Sequence, residues 1–285
     1  MNRKTWLITG ASSGLGKALA EYALARGDQA VVVASSTAST TELASRYPET
    51  ALALQLDVTD AAHRANGVRT ALDRFGAIDI LVNNAAIDYI GALEEQEEPD
   101  YRRLFEVNFF GAVALTREVL PSMRHRRTGL IVNVSSMDGF ASLPANGYYS
   151  ASKFALEGFT EALWQEIEPL GLRAMVIQPG SFRTGIERRT KASGRPIEDY
   201  SATAGAFRGL MDRLTPEMFP GDPRKAAEAI YMVATSSEPR HWVVLGSDAQ
   251  RRIGVKLDQF RSEFDAGKDL ALSTDFHGSA DNAVL

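Results

Sequence analysis

Seven short apolar runs, at 6–9, 30–34, 51–56, 78–82, 130–135, 173–178 and 241–245, are separated by longer segments of helical periodicity. The runs are rich in Val, Ile and Leu and lack polar alternation, so each requires cover on both faces. The helical patterns fall at 14–26, 40–47, 61–75, 100–124, 149–170 and 224–235. Strand alternating with helix predicts an α/β fold, a doubly wound parallel sheet with right-handed crossovers. No composition break precedes residue 180, and a single domain is expected over 1–246. Two segments stand outside the repeat. Residues 182–220 are rich in charged and small side chains with little strand character, as suits a substrate lid. Residues 247–285 form a C-terminal extension with one amphipathic helix at 249–264, becoming polar from Asp265 and expected to be frayed by its end.

Composition excludes several functions. Lys and Arg number 31 against 36 Asp and Glu, a net charge of −5, which argues against a dedicated nucleic-acid binder. Cysteine is absent, and the four histidines, His63, His125, His241 and His277, are far apart, so no metal site is expected. No apolar run approaches the roughly 18 residues that a membrane span needs. The first strand starts too near Met1 to leave room for a cleavable leader, so a soluble cytoplasmic protein is expected.

The first strand runs directly into Thr9-Gly10-Ala11-Ser12-Ser13-Gly14-Leu15-Gly16, and a helix follows. Glycines at 10, 14 and 16 allow a sharp turn and a close approach of backbone to a pyrophosphate. The helix N-terminus behind them offers free N–H groups to the same anion. Gly16-Lys17 is followed by Ala18, so the magnesium-binding hydroxyl of an ATP loop is missing. At the end of the second strand the residues are Ala34-Ser35-Ser36-Thr37, and the first acid is Glu42. A carboxylate there would exclude a ribose 2′-phosphate; Ser35 and Ser36 could instead donate to one. NADP(H) is therefore the expected cofactor, with NAD as the alternative. Asp57 and Val58 either meet the adenine edge or belong to a local capping turn.

Tyr149-Ser150-Ala151-Ser152-Lys153 places a phenol and an ammonium on one helical face. Ser136 lies thirteen residues earlier, just past the fifth strand, at the sheet end where open α/β sheets bind ligands. With Asp57, Asn83-Asn84-Ala85-Ala86, Asn108 and Pro179-Gly180, these motifs resemble those of the short-chain dehydrogenase/reductase family. The resemblance covers residues 4–245 and implies a Rossmann-type fold, a nicotinamide cofactor and carbonyl–alcohol interconversion. Ala86 stands where the family usually has Gly. The ending Trp242-Val243-Val244-Leu245-Gly246-Ser247 resembles the retinol- and hydroxysteroid-dehydrogenase-like branch.

By this resemblance Ser136, Tyr149 and Lys153 are catalytic, and Asn108 completes a proton path from Lys153 to solvent. Lys153 is expected to lower the Tyr149 pKa from its ordinary value near ~10. Gly10, Ser12, Ser13, Gly14, Leu15, Gly16, Ser35, Ser36, Asp57, Val58, Asn84, Ala85, Ala86, Tyr149, Lys153, Pro179, Gly180 and Thr184 are expected around the cofactor. A mainly apolar substrate wall is expected from Ile87, Met137, Phe140, Leu143, Phe182 and Ile186, suited to a hydrophobic ketone, aldehyde or alcohol. The acids at 94–98 read as a solvated loop. Phe105, Phe109, Phe154, Phe159, Leu163 and Trp164 exceed what the sheet needs to cover it, and the family pairs these helices. A homodimer or homotetramer is expected.

Overall fold

The computed structural model describes residues 3–238 and 240–276. Its elements run β1 (Thr5–Thr9), α1 (Gly14–Ala25), β2 (Gln29–Ala34), α2 (Ala38–Arg46), β3 (Ala51–Gln55), α3 (Ala61–Phe75) and β4 (Ile80–Asn83). Next come β5 (Tyr89–Ile90), α4 (Glu98–Phe105), α5 (Gly111–Arg126), β6 (Leu130–Val134), α6 (Gly147–Ile167) and β7 (Arg173–Pro179). The chain ends with β8 (Lys191–Ala192), α7 (Ala206–Met211), α8 (Pro223–Thr235), β9 (Trp242–Leu245), α9 (Ser247–Ala266) and α10 (Lys268–Leu272).

Seven strands form one parallel sheet in the order β3-β2-β1-β4-β6-β7-β9. This is a Rossmann-type doubly wound sheet in a single domain. The absence of polar alternation in the strands has a direct cause. Trp6 and Ile8 point into a core shared with α1 and α8, while Leu7 points into a second core shared with α3, α5 and α6. Chain order reverses between β1 and β4, and a crevice opens there at the strand carboxyl ends.

Four features differ from the sequence reading. The helix expected over 100–124 is broken by a π-turn at Glu106–Phe110, with the Gly111 N–H bonded back to Glu106 O. One extra residue in an apolar helix leaves the hydrophobic period nearly intact, so the pattern does not reveal it. The lid is not strand-free: its Lys191–Ala192 pairs in parallel with Tyr89–Ile90. Its ends close on themselves, with Arg183 N donating to Gly221 O at 3.0 Å and Gly221 N to Ser181 O at 3.0 Å. The extension stays helical past Asp265, through Ala266 and then Lys268–Leu272; residues 277–285 lie outside the described ones.

The fourth difference is at 94–98. Glu95 is buried, not solvated. It accepts from Ala92 N at 2.7 Å and from Ile197 N at 2.8 Å, and it pairs with Arg208 on α7. The Arg208 hydrogen bond, aided by both backbone donors, holds its carboxyl down at about 2 against an ordinary 4.5. Its stabilising contribution is therefore complete above pH 4.5 and is lost as pH falls toward about 2. Glu95→Gln is expected to lower the Tm at neutral pH, with the gap to the parent closing through that acid window. A gap independent of pH in thermal melts would contradict this anchoring.

Candidate active site

The glycine turn forms a cradle shaped by neighbours that leave no room for side chains. Gly10 has φ +65°, and a Cβ there would lie 2.9 Å from Asn84 Nδ2 and 3.0 Å from Ala85 Cα. Gly16 faces inward, where a Cβ would press on Asn84 Nδ2 and Gly10 O. Asn84 Nδ2 donates to Thr9 O at 2.8 Å, and the Asn84 and Ala85 N–H groups both donate to Thr9 Oγ1, at 2.8 and 2.9 Å. The Asn-Ala segment therefore braces the end of β1. Ser13 precedes α1 without a side-chain cap bond, and Ser13, Gly14 and Leu15 line the crevice at this uncapped helix start. Ala86 lines the crevice and has no positive φ, so its methyl group is accommodated without strain.

Across the crevice, Tyr149 and Lys153 lie on α6 and Ser136 lies just past β6. Ser136 Oγ accepts from Asp138 N at 3.1 Å and acts on the Tyr149 phenol, lowering its pKa, whereas Ser135 Oγ is buried with no hydrogen-bond partner among the described residues. Ser136, the expected residue, is thus the serine that acts on the phenol. Tyr148 is also distinguished: its ring stacks on Tyr101 at 4.3 Å, and its hydroxyl turns to Leu93 O. Lys153 Nζ sits 5.7 Å from the Tyr149 ring centre and donates to Val134 O at 2.9 Å. Burial pushes the Lys153 pKa down to about 8, against the opposing pull of Glu157, Asp88 and Asp138.

The expected acidification of Tyr149 is not what this structure shows. Burial raises the phenol pKa first, and the negative charges of Asp88 and Asp138 raise it further. The Ser136 hydrogen bond alone acts the other way. Two carboxylates in a water-poor wall outweigh one lysine whose own charge is weakened by burial.

Asn108 sits inside the π-turn and behind the crevice wall, 1% exposed. Its Oδ1 accepts from Ile87 N at 2.8 Å, and its Nδ2 donates to Ile87 O at 2.9 Å and Ser152 Oγ at 3.3 Å. The side chain thus fixes the loop that follows β4. Asp57 Oδ1 accepts from Thr59 N and Thr59 Oγ1, at 2.9 and 2.8 Å, in a local turn; Asp60, not Asp57, caps α3.

One crevice of about 870 Å³ gathers most of the expected site residues. Gly10, Ser12, Ser13, Gly14, Leu15 and Ser35 line one end, with Asp57 and Val58. Asn84, Ala85, Ala86, Ser136, Tyr149, Lys153, Pro179, Gly180 and Thr184 line its middle. Ile87, Met137, Leu143, Phe182 and Ile186 continue the wall, and Phe207, Leu210, Met211 and Leu214 add apolar surface from the lid. Four expected residues are not in the wall. Gly16 and Asn108 pack behind it, Ser36 is exposed beside it, and Phe140 turns away.

Four residues of this wall carry no local sequence signal: Asp88, Asp138, Arg189 and Arg252. Arg189 of the lid donates through Nη1 to Ser13 Oγ at 2.5 Å and through Nη2 to Thr184 O at 3.2 Å, at the glycine turn. Arg252 of α9 pairs with Asp138 and donates to Ala141 O, so the extension closes the wall. Asp248, also on α9, accepts from Ser181 N at 2.8 Å beside Gly180. Among the described residues no helix is long and apolar enough to cross a membrane.

Comparisons with known proteins agree with this architecture. A sequence profile described as short chain dehydrogenase matches residues 4–195. An oxidoreductase of Botryotinia fuckeliana, BOA17, is 31% identical over 95% of this chain and 99% of its own length. The 3-ketodihydrosphingosine reductase of Bacteroides thetaiotaomicron is 35% identical over 82% of this chain and 84% of its own. A solved short-chain dehydrogenase from Streptomyces avermitilis superposes with a TM-score of 0.89 at 38% identity, covering 96% of this chain and 99% of that one. Two solved proteins of the same fold hold different dinucleotides. One from Burkholderia phymatum carries NAD (TM-score 0.81, 23% identity, 92% of this chain and 95% of that one). An alcohol dehydrogenase from Thermococcus sibiricus carries 5-hydroxy-NADP (TM-score 0.72, 24% identity, 88% and 99%). With its parallel sheet, glycine turn and Ser-Tyr-Lys wall, this chain belongs to the short-chain dehydrogenase/reductase family of oxidoreductases.

Proposed function

We propose that the protein is an NADP(H)-dependent carbonyl reductase that also runs as an alcohol dehydrogenase. The observation carrying this is that Ser136, Tyr149 and Lys153 share one crevice with the glycine cradle. A nicotinamide dinucleotide fits that cradle, because Gly10 and Gly14 line the crevice with bare backbone where a Cβ would press on Asn84 and Ala85 or on Thr184. Its phosphates would face the first turn of α1, with the Arg189 guanidinium opposite. Ser35 would face the ribose, where no acid at the end of β2 repels a 2′-phosphate. Pro179, Gly180 and Thr184 would border the nicotinamide, which supplies the hydride when bound.

The residues then do the following. Ser136 and Tyr149 hold a carbonyl oxygen between two hydroxyls, where negative charge develops. Tyr149 delivers the proton to that oxygen. Lys153, anchored on Val134 O, holds positive charge behind the phenol and can renew its proton. Asn108 keeps Ile87 and the adjoining wall in place. With its pKa raised, Tyr149 stays protonated across neutral pH and has a proton to give in reduction. As a base for oxidation it must first lose that proton, so oxidation should quicken as pH rises.

The test measures NADPH and NADH consumption over a panel of apolar ketones, with dissociation constants for both dinucleotides in the parent and in Arg189→Ala. NADPH preference and an affinity loss of about tenfold for both dinucleotides in the variant are expected. Clear NADH preference would instead support the NAD-dependent reading. An unchanged affinity would remove Arg189 from the phosphate site.

A homodimer through the α4–α5 and α6 faces is part of the same proposal. Leu163 and Trp164, expected at that surface, belong to the core instead. Phe110 and Phe154 remain half exposed there and would carry the contact. Light scattering reporting a monomer would rule it out.

A further inference from the structure

The two halves of α9 are packed differently. In the first half Ala249 and Ile253 are buried, and Asp248 and Arg252 tie the helix to Ser181 N and Asp138 at the crevice wall. In the second half every residue from Leu257 to Ala266 is exposed. Leu257, Phe260 and Phe264 are 50%, 62% and 64% exposed. A helix gains most of its stability by packing an apolar face, and this half has no such cover within its own chain.

The exposed face has a definite pattern. Ile253, Leu257, Phe260 and Phe264 follow one another at intervals of four, three and four residues, the spacing of a coiled-coil seam. The seam starts in the protein's own core at Ile253 and runs out into solvent. A second helix laid along it would bury all three exposed side chains.

Charge selects that helix and its direction. Lys256, Arg261 and Glu263 flank the seam. Arg261 is held by Asp265 at 2.7 Å, and Glu263 accepts from Gln259 Nε2 at 2.9 Å. Lys256 makes no hydrogen bond or ion pair among the described residues. In a parallel pair of α9 helices Lys256 would meet the partner's Arg261, which is repulsive. In an antiparallel pair Leu257 lies against the partner's Phe260, and Ile253 against the partner's Phe264. Lys256 then meets the partner's Glu263, and the two-fold axis repeats that contact. Over residues 256–268 three cations are matched by three acids, so the helix lacks the basic face that an anionic membrane attracts.

We propose that α9 is an association helix: two copies of this chain pair their α9 helices antiparallel, through Leu257, Phe260 and Phe264, with Lys256 against the partner's Glu263. The contact is isologous, so it closes on a pair of copies. It uses none of the residues of the α4–α5 and α6 contact, and it stands independently of the catalytic reading.

The test measures mass by light scattering for the parent, for Leu257→Asp combined with Phe260→Asp, for Lys256→Glu, for Glu263→Lys, and for the last two combined. A cooperative thermal melt shows that each variant is folded. The Leu257 and Phe260 variant should have half the parent's mass, whether or not the other contact also forms. Each single charge change should raise the dissociation constant of this step about tenfold, and combining them should restore it. An unchanged mass in the first variant, a monomeric parent, or a combined charge exchange that restores nothing would each overturn the proposal. Direction is read separately, because the chain has no cysteine. Leu257→Cys and Phe260→Cys copies, expressed together and oxidised, should link to each other. Linkage confined to pairs of Leu257→Cys copies would mean a parallel contact and would overturn the antiparallel one.

Discussion

Tyr149→Phe is expected to lower kcat by about 10²–10⁴-fold while the protein still folds and binds its dinucleotide. The phenol hydroxyl is the proton source in the wall that Ser136 also faces, and Phe keeps the ring but loses the proton. Neighbouring groups cannot replace it. Tyr148 is turned to Leu93 O, and Asp138 is occupied by Asn146 and Arg252. Steady-state rates with an active ketone, read beside the Tm, check this. Full activity in the variant would show that the proton comes from elsewhere.

Lys153→Met should be nearly as damaging, with a fall of about a hundredfold or more in kcat/KM. The ammonium is 2% exposed and lies among Glu157, Asp88 and Asp138. Its removal leaves three acids with no buried cation between them and the phenol. The Tyr149 pKa should then rise further, so the oxidative reaction suffers more than the reductive one. The pH profile of alcohol oxidation tests the sign: its rising limb should move to higher pH in the variant. An unmoved limb would mean that Lys153 acts only through cofactor binding. Lys153→Arg would not rescue the rate, because a planar fork cannot take the single bond to Val134 O in the same space.

The fold was legible because its signal is periodic and local. Runs such as Trp6-Leu7-Ile8 are apolar at every position, and the two cores explain why. The glycine turn was legible because Gly10, Gly14 and Gly16 are adjacent in sequence, as are Tyr149 and Lys153 on their helix. The charges that set the site's electrostatics were not. Arg252 meets Asp138 across 114 positions, and Arg189 meets Ser13 across 176, so no spacing announces either contact. The Tyr149 pKa was misjudged for the same reason: pairing with Lys153 is local, whereas burial and the approach of Asp88 and Asp138 are tertiary. Glu95 was misread because an acid among acids looks solvated until Arg208 is folded onto it. The one partial clue was length. A lid of this extent between two strands must pack on something, and its Thr190 and Arg208 find Asp88 and Glu95.

The most direct measurement of the central claim follows the hydrogen itself. The protein is given a dinucleotide deuterated at the nicotinamide C4 and a ketone it accepts, and the product alcohol is analysed by mass spectrometry. The account predicts deuterium on the carbinol carbon when water is unlabelled, and none on that carbon when only the solvent is labelled. A product whose carbinol hydrogen comes from solvent would contradict transfer within this crevice.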